Sequence, residues 1–211
     1  MVKPYPMQAK FIKSATNLRD CPQDRIPEIA FMGRSNAGKS SLLNALANQK
    51  KLAMVSASPG KTRLLNFFDV DSKYRIVDLP GYGFAARSAE ERSEWSEMVE
   101  SFLTARRNLT GSLLIMDIRR DWTLDETHLL EWLMSRDLPM AVALTKSDKL
   151  GQSEIIKRKA KLVADLKTLN YISAEIFVVS SLKKKGCQEI EDFIYKSWIK
   201  NNRKIAPIEN F

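Results

Sequence analysis

The residues best placed to do chemistry are Gly33 to Ser40, GRSNAGKS, which satisfy every fixed position of the pattern G-x-x-x-x-G-K-[ST]. The pattern has a physical basis. Glycines at 33 and 38 let the chain curl so that the N–H groups of Arg34, Ser35, Asn36 and Ala37 face a polyphosphate. A helix starting near Lys39 turns its partially positive end toward the same oxygens. Lys39 reaches the β- and γ-phosphates, and the Ser40 hydroxyl is placed to ligate Mg²⁺. This loop predicts a bound triphosphate and leaves the base open.

Three later stretches bear on the base and the metal. Asp78-Leu79-Pro80-Gly81 follows a strand-like run. Its aspartate can hold Mg²⁺ through water, and the Gly81 N–H can meet a γ-phosphate. Thr145-Lys146-Ser147-Asp148 follows another apolar run. A carboxylate only accepts hydrogen bonds, so Asp148 suits the paired N1–H and N2 amine of guanine. Adenine would leave it unpaired, and such a mismatch discriminates by ~10⁴–10⁵-fold. The stem of Lys146 can lie along the base plane. Val179-Ser180-Ser181 can present a backbone N–H to guanine O6. The order and spacing of these pieces favour guanine over adenine. Thr62, closing Pro59-Gly60-Lys61-Thr62 just before a strand, is the candidate for the remaining Mg²⁺ ligand, with Ser56 and Ser58 as rivals. Its loop would order with GTP and relax after hydrolysis.

The phosphate loop lies between a strand, Ile29 to Met32, and a helix ending near Asn48. RLLNFFDVD and YRIVDLP read as an antiparallel hairpin across Ser72-Lys73. Apolar strands follow at Ser112 to Ile118, Met140 to Leu144 and Glu175 to Ser180. Helices are predicted at about Ser93–Arg107 (Trp95, Val99, Phe102 and Leu103 on one face), Leu124–Ser135, Ser153–Leu169 with Ser153 as N-cap, and Cys187–Ile199. The alternation predicts an α/β fold: a doubly wound, mainly parallel six-stranded sheet with one antiparallel strand, the P-loop G domain. Such sheets bind ligands at the carboxyl ends of their strands, where every motif falls. Residues 1–27 read as an N-terminal extension with a possible edge strand in AKFIKSAT, 28–200 as the G domain and 201–211 as a flexible tail.

Composition narrows the class. The 211 residues suit one domain, with 44% hydrophobic and 28% charged content. No run approaches the ~18 apolar residues of a membrane span, and the N-terminus lacks a secretory core, so a cytoplasmic protein with no membrane association is expected. Cys21 and Cys187 form no metal-binding or disulfide pattern. A net charge of +9 favours polyanionic partners. Lys157, Arg158, Lys159 and Lys161 read either as a solvated helix face or as RNA contacts. Lys183 to Lys185, Arg119, Arg120, Trp122 and the C-terminal Lys196, Lys200, Arg203 and Lys204 are further candidates for an rRNA-facing surface. His128, on a predicted helix, reads as structural.

The set GRSNAGKSSLLNAL, SPGKTRLLNFF, DLPGYGFA, TKSDK and VSSLKKKG closely resembles the EngB (YihA/YsxC) family of bacterial ribosome-assembly GTPases, in the translation-factor-related class, from about Phe11 to Lys200. The resemblance implies a small, monomeric G domain that binds GTP and GDP with Mg²⁺. It implies association with the large ribosomal subunit during assembly and a need for it in cell division and septation. The family's nucleotide contacts carry onto Gly33 to Ser40, Gly60 to Leu64 (with Lys61, Thr62 and Arg63), Asp78 to Gly81, Thr145 to Asp148 and Val179 to Ser181, and its magnesium ligands onto Ser40 and Thr62.

Two positions depart from the wider GTPase pattern. Thr145 replaces the asparagine of N-K-x-D, giving fewer hydrogen bonds. Tyr82 stands where many GTPases carry a water-orienting glutamine. Another residue, a partner or a metal ion must then assist hydrolysis. Asn36 occupies the position where K⁺-activated relatives carry asparagine, and either supports K⁺ or merely stabilises its loop. Slow turnover is expected, with Lys39, Asn36, Thr62 and Gly81 as candidate catalytic groups. The alternatives are a nucleotide-gated RNA-binding scaffold with negligible hydrolysis, and a tRNA-modification-type or membrane-associated GTPase, for whose extra domain this chain leaves little room.

Overall fold

The computed structural model describes residues 6–53, 64–82, 89–171 and 174–200, with the backbone alone at 89–96. Among the described residues seven strands form one sheet: β1 (Ala9–Ala15), β2 (Glu28–Gly33), β3 (Leu65–Val70), β4 (Tyr74–Asp78), β5 (Leu109–Asp117), β6 (Met140–Thr145) and β7 (Glu175–Val178). Their order is β1-β3-β4-β2-β5-β6-β7. The central strand β2 lies between β4 and β5, which leave it on opposite sides, so the crevice at its carboxyl end is the topological switch point. Only β3 runs against the others, pairing antiparallel with both β1 and β4.

The α/β architecture is as the alternation predicts, and the expected six strands become seven. Ala9–Ala15 adds the edge strand, with a register shift between Phe11 and Lys13. Its middle residues, Lys10 to Lys13, face solvent. A kinked edge with lysines at two of these positions discourages pairing with another chain.

The helices are α1 (Lys39–Leu46), α2 (Ala89–Ala105), α3 (Leu124–Met134), α4 (Gln152–Thr168) and α5 (Cys187–Phe193), which continues as a π-helical segment, Ile194–Lys200. Alternate strand residues face opposite sides of the sheet, as a period of two requires. Ile29 and Phe31 join α1 and α5 through Leu42, Leu46, Ile190 and Ile194. Ala30 and Met32 join α2, α3 and α4 through Phe102, Leu130 and Leu162. Val99, Phe102 and Leu103 are buried as α2's predicted core face, while the side chain of Trp95 lies outside the described residues.

Two boundaries shift. Ser153 is not the N-cap of α4: Gly151, with φ −73 and ψ 160, takes that place and the helix starts at Gln152. Beyond α5, the inward residues Ile190, Ile194 and Trp198 recur every fourth position and stay buried. The Trp198 ring lies over Gly111 of β5, where a Cβ would come within 2.3 Å of it.

Candidate nucleotide-binding site

The phosphate loop is shaped by the ends of β2 and α1. At Gly33 an added Cβ would lie 2.2 Å from the Ile115 carbonyl oxygen on β5, so β2 can end there only with glycine. The Ala37 N–H donates to the Arg34 carbonyl at 3.0 Å, closing the turn. Asn36 sits at φ 63, a left-handed conformation that asparagine tolerates better than most residues. Gly38, at φ 98, precedes α1 with no side-chain cap. The first N–H groups of the helix therefore remain available to an anion.

Asp78, at the carboxyl end of β4, is paired in register with Phe31 of β2 and so lies beside the loop. It is 4% exposed, and its Oδ1 is buried with no hydrogen-bond partner among the described residues. Burial pushes its carboxyl upward, while the Lys39 ammonium pulls in the other direction. An orphaned buried carboxylate oxygen close to Lys39 and the half-buried Ser40 suits a hard, hydrated cation. Among the described residues no three His, Cys, Asp or Glu gather as a metal cluster. Gly60, Lys61, Thr62 and Arg63, with the rivals Ser56 and Ser58, lie outside the described residues. Leu64 precedes β3.

The turn after β4 rests on the loop itself. The Leu79 N–H donates to the Phe31 carbonyl, and the Ser35 N–H donates to the Tyr82 carbonyl, each at 3.0 Å. Gly81 touches the loop so closely that a Cβ would lie 2.9 Å from the Ser35 nitrogen. The Tyr82 side chain turns inward, 8% exposed, and its hydroxyl donates to Glu126 Oε1 of α3 at 3.0 Å.

The loops after β6 and β7 close the other side. The Thr145 hydroxyl lies 2.5 Å from the Ala37 carbonyl and 3.0 Å from that of Met116. Its single proton can serve one of them at a time, and either choice ties β6 to its neighbours. Lys146, at φ 59, sends its ammonium to the Asn36 carbonyl at 2.7 Å and to Asp117 Oδ2 at 3.0 Å. Its stem is thereby stretched across the site. The Ser147 N–H donates to the Val179 carbonyl at 3.0 Å, joining the two loops. The Ser180 hydroxyl donates to Asp148 Oδ1 at 2.7 Å and holds that carboxyl below the usual range. The Val179 N–H is bonded to the Leu144 carbonyl and the Ser180 N–H to that of Lys185. A cleft of about 250 Å³ beside the loop is lined by Arg34, Asn36, Asp117, Arg119, Lys146 and Glu126.

Several residues proposed for RNA have other work. Arg119 is bound to Asp117 through Nη2 at 2.6 Å. Arg158 and Lys161 both pair with Asp121, at 3.0 and 2.5 Å. Trp122 is partly buried against the core, its indole N–H donating to the Thr127 hydroxyl at 2.9 Å. His128 stands exposed on α3, and Arg203 and Lys204 lie outside the described residues. Cys21 and Cys187 are both buried thiols.

Two site residues escape a motif reading. Asp117 anchors the ammonium of Lys146, and its position at a strand's carboxyl end was a usable signal. Glu126 belongs to the capping pattern T-x-x-E at Thr123–Glu126, which marks a helix start and says nothing of Tyr82.

A family model described as "50S ribosome-binding GTPase" matches residues 28–146. The probable GTP-binding protein EngB of Bdellovibrio bacteriovorus is 50% identical over 200 residues, covering 95% of this chain and 97% of that protein. The chain belongs to the EngB family. The EngB of Pelotomaculum thermopropionicum is 45% identical over 90% of this chain and 95% of its own length. In fold, this EngB-family chain is similar to a crystal structure of a probable GTP-binding protein engB (TM-score 0.65, 23% identity, 80% of this chain and 96% of that one). It is also similar to Era in complex with MgGDPNP and a segment of 16S ribosomal RNA (TM-score 0.66, 23% identity, 88% of this chain and 60% of that one). The EngB-family chain is thus a P-loop GTPase with an α/β G-domain fold.

Proposed function

We propose that this EngB-family GTPase is a guanine-nucleotide switch that docks on the large ribosomal subunit during its assembly and supports cell division and septation from the cytoplasm. The observation that carries the nucleotide part is the lock between the TKSD loop and the phosphate loop. Thr145 reaches Ala37 and Lys146 reaches Asn36, so a base held by Asp148 and phosphates held by Gly33–Ser40 share one frame.

In this reading Asp148 accepts from guanine N1–H and the N2 amine while the Lys146 stem covers the ring. O6 falls to the Ser181 N–H, because those of Val179 and Ser180 are engaged. The N–H groups of Arg34 to Ser40 cradle the β-phosphate, Lys39 spans β and γ, and the Gly81 N–H meets the γ-phosphate. Ser40 and Thr62 would hold Mg²⁺ directly and Asp78 through water. Bound Mg²⁺ supplies charge neutralisation on the β- and γ-oxygens. Gly60, Lys61, Arg63, Leu64, Leu79, Pro80 and Ser147 complete the surround.

Hydrolysis is slow in this account. Tyr82 fills the usual glutamine position with a hydroxyl already committed to Glu126, which also favours the second reading, a nucleotide-gated scaffold with little turnover. A K⁺ ion near Asn36 or the ribosomal partner provides the missing assistance. Asn36 has a conformational reason to be there in either case, since its φ is 63. The partner assignment rests on the family resemblance and the +9 charge. GTP hydrolysis measured in K⁺ and in Na⁺, with and without large subunits, is expected to rise with K⁺ or with subunits. Equal rates in all four conditions would remove both forms of assistance.

A further inference from the structure

We infer that Glu126 is a positioning residue for GTP hydrolysis, acting through Tyr82 and Arg34 to hold the Gly81–Tyr82 turn against the phosphate loop. The inference rests on the reading that the Gly81 N–H meets the γ-phosphate.

Glu126 is 1% exposed on the first turn of α3. A buried carboxylate is costly unless both oxygens are satisfied, and here the two serve different masters. Oε2 takes the Thr123 N–H at 2.9 Å and the Thr123 hydroxyl at 2.5 Å, which is all that the helix start requires. Oε1 points the other way. It accepts the Tyr82 hydroxyl at 3.0 Å and lies 3.5 Å from Arg34 Nε, while Arg34 Nη2 pairs with Asp125 Oδ2 at 2.6 Å. The second oxygen therefore joins the residue after Gly81 to the residue after Gly33, which are 48 positions apart in sequence.

The main chain makes the same junction. Arg34 and Tyr82 form a parallel bridge, and the Ser35 N–H donates to the Tyr82 carbonyl. Gly81 lies directly on Ser35. With the Tyr82 ring packed among the residues between the sheet and α3, a shift of Gly81 has to drag the phenol off Glu126. The turn and the loop thus move as one body or separate together. An N–H that must meet a transferring phosphoryl group works only within a narrow range of position, where a displacement of about 1 Å costs roughly 10²-fold in rate. Glu126 narrows that range without touching substrate.

Three variants separate this role from simple stability. Tyr82→Phe removes only the hydroxyl. Glu126→Gln has a single acceptor oxygen: kept on the Thr123 cap, it turns the amide NH₂ toward the Tyr82 hydroxyl oxygen, and the charge that draws Arg34 is lost. Thr123→Ala weakens the cap and leaves Oε1 in place. Single-turnover hydrolysis, KM, affinities for fluorescent GDP and a GTP analogue, and Tm are measured for each. We expect Tyr82→Phe to lower kcat about tenfold, comparable to losing a hydrogen bond to a charged group, and to weaken the GTP analogue relative to GDP. Its GDP affinity stays within twofold. Glu126→Gln falls between Tyr82→Phe and wild type, and Thr123→Ala lowers Tm with kcat within twofold. A Tyr82→Phe protein whose kcat and analogue-to-GDP ratio match wild type overturns the inference. So does a set in which kcat merely tracks Tm. Failure of the wild-type chain to bind any guanine nucleotide would instead overturn the site reading beneath it.

Discussion

In the proposed reading Asp148 meets guanine only while it is ionised, and the Ser180 hydroxyl at 2.7 Å favours that form. That hydrogen bond depresses its folded-state pKa, so the carboxylate form persists as pH falls and is lost only through the depressed value. Ser180→Ala removes the donor and returns the carboxyl toward the ordinary value of about 3.9. The acid limb of GDP binding should then move to higher pH, with affinity at pH 7 weakened by about fivefold or more from the lost ordering. Titration of fluorescent GDP from pH 3.5 to 7 reads both, and an unmoved acid limb would contradict the assignment. At this scale the sequence was readable wherever chemistry is local. Gly33–Ser40 and Thr145–Asp148 are contiguous strings whose spacing is set by one ligand. Tyr82 shows the limit. Its position marked it as the missing glutamine, yet its bond to Glu126 spans 44 positions and belongs to no motif.

At the scale of elements, the connector before β2 is held by ion pairs under the sheet. Glu28 is wholly buried, and Arg106, just past α2, binds both its oxygens while a further N–H reaches the Pro22 carbonyl at 3.0 Å. Arg106→Met leaves that carboxylate buried without its cation and should cost about 3–5 kcal/mol in urea unfolding at pH 7. Burial already raises the folded pKa of Glu28 against the pull of Arg106. A raised carboxyl pKa means stability that is present below the unfolded value and lost as pH rises through the folded one. The penalty of Arg106→Met should therefore shrink as pH falls toward 4, and a constant penalty would contradict it. The hairpin and the parallel strands were legible because turn chemistry and apolar runs are strong local signals. Strand β1 was less so, since its middle faces solvent and shows no alternation. The start of α4 misled because a serine cap is the commoner device, and here Gly151 takes the place with its backbone alone.

For the whole molecule, the +9 charge is distributed less freely than the sequence suggests. Arg119, Arg158 and Lys161 are paired with Asp117 and Asp121. The exposed cations that flank the base pocket and line α4 include Lys183, Lys185, Lys157 and Lys159. A surface of this kind binds a polyanion with an affinity that falls steeply with salt. No helix among the described residues is long and apolar enough to cross a membrane. In the proposed function the nucleotide in the Gly33–Ser40 loop decides whether this surface engages the ribosome. Cosedimentation with large ribosomal subunits, in GDP, in a non-hydrolysable GTP analogue and without nucleotide, tests it most directly. More protein should pellet with the analogue than with GDP, and raising the salt should release it. Equal pelleting in all three states would contradict the claim.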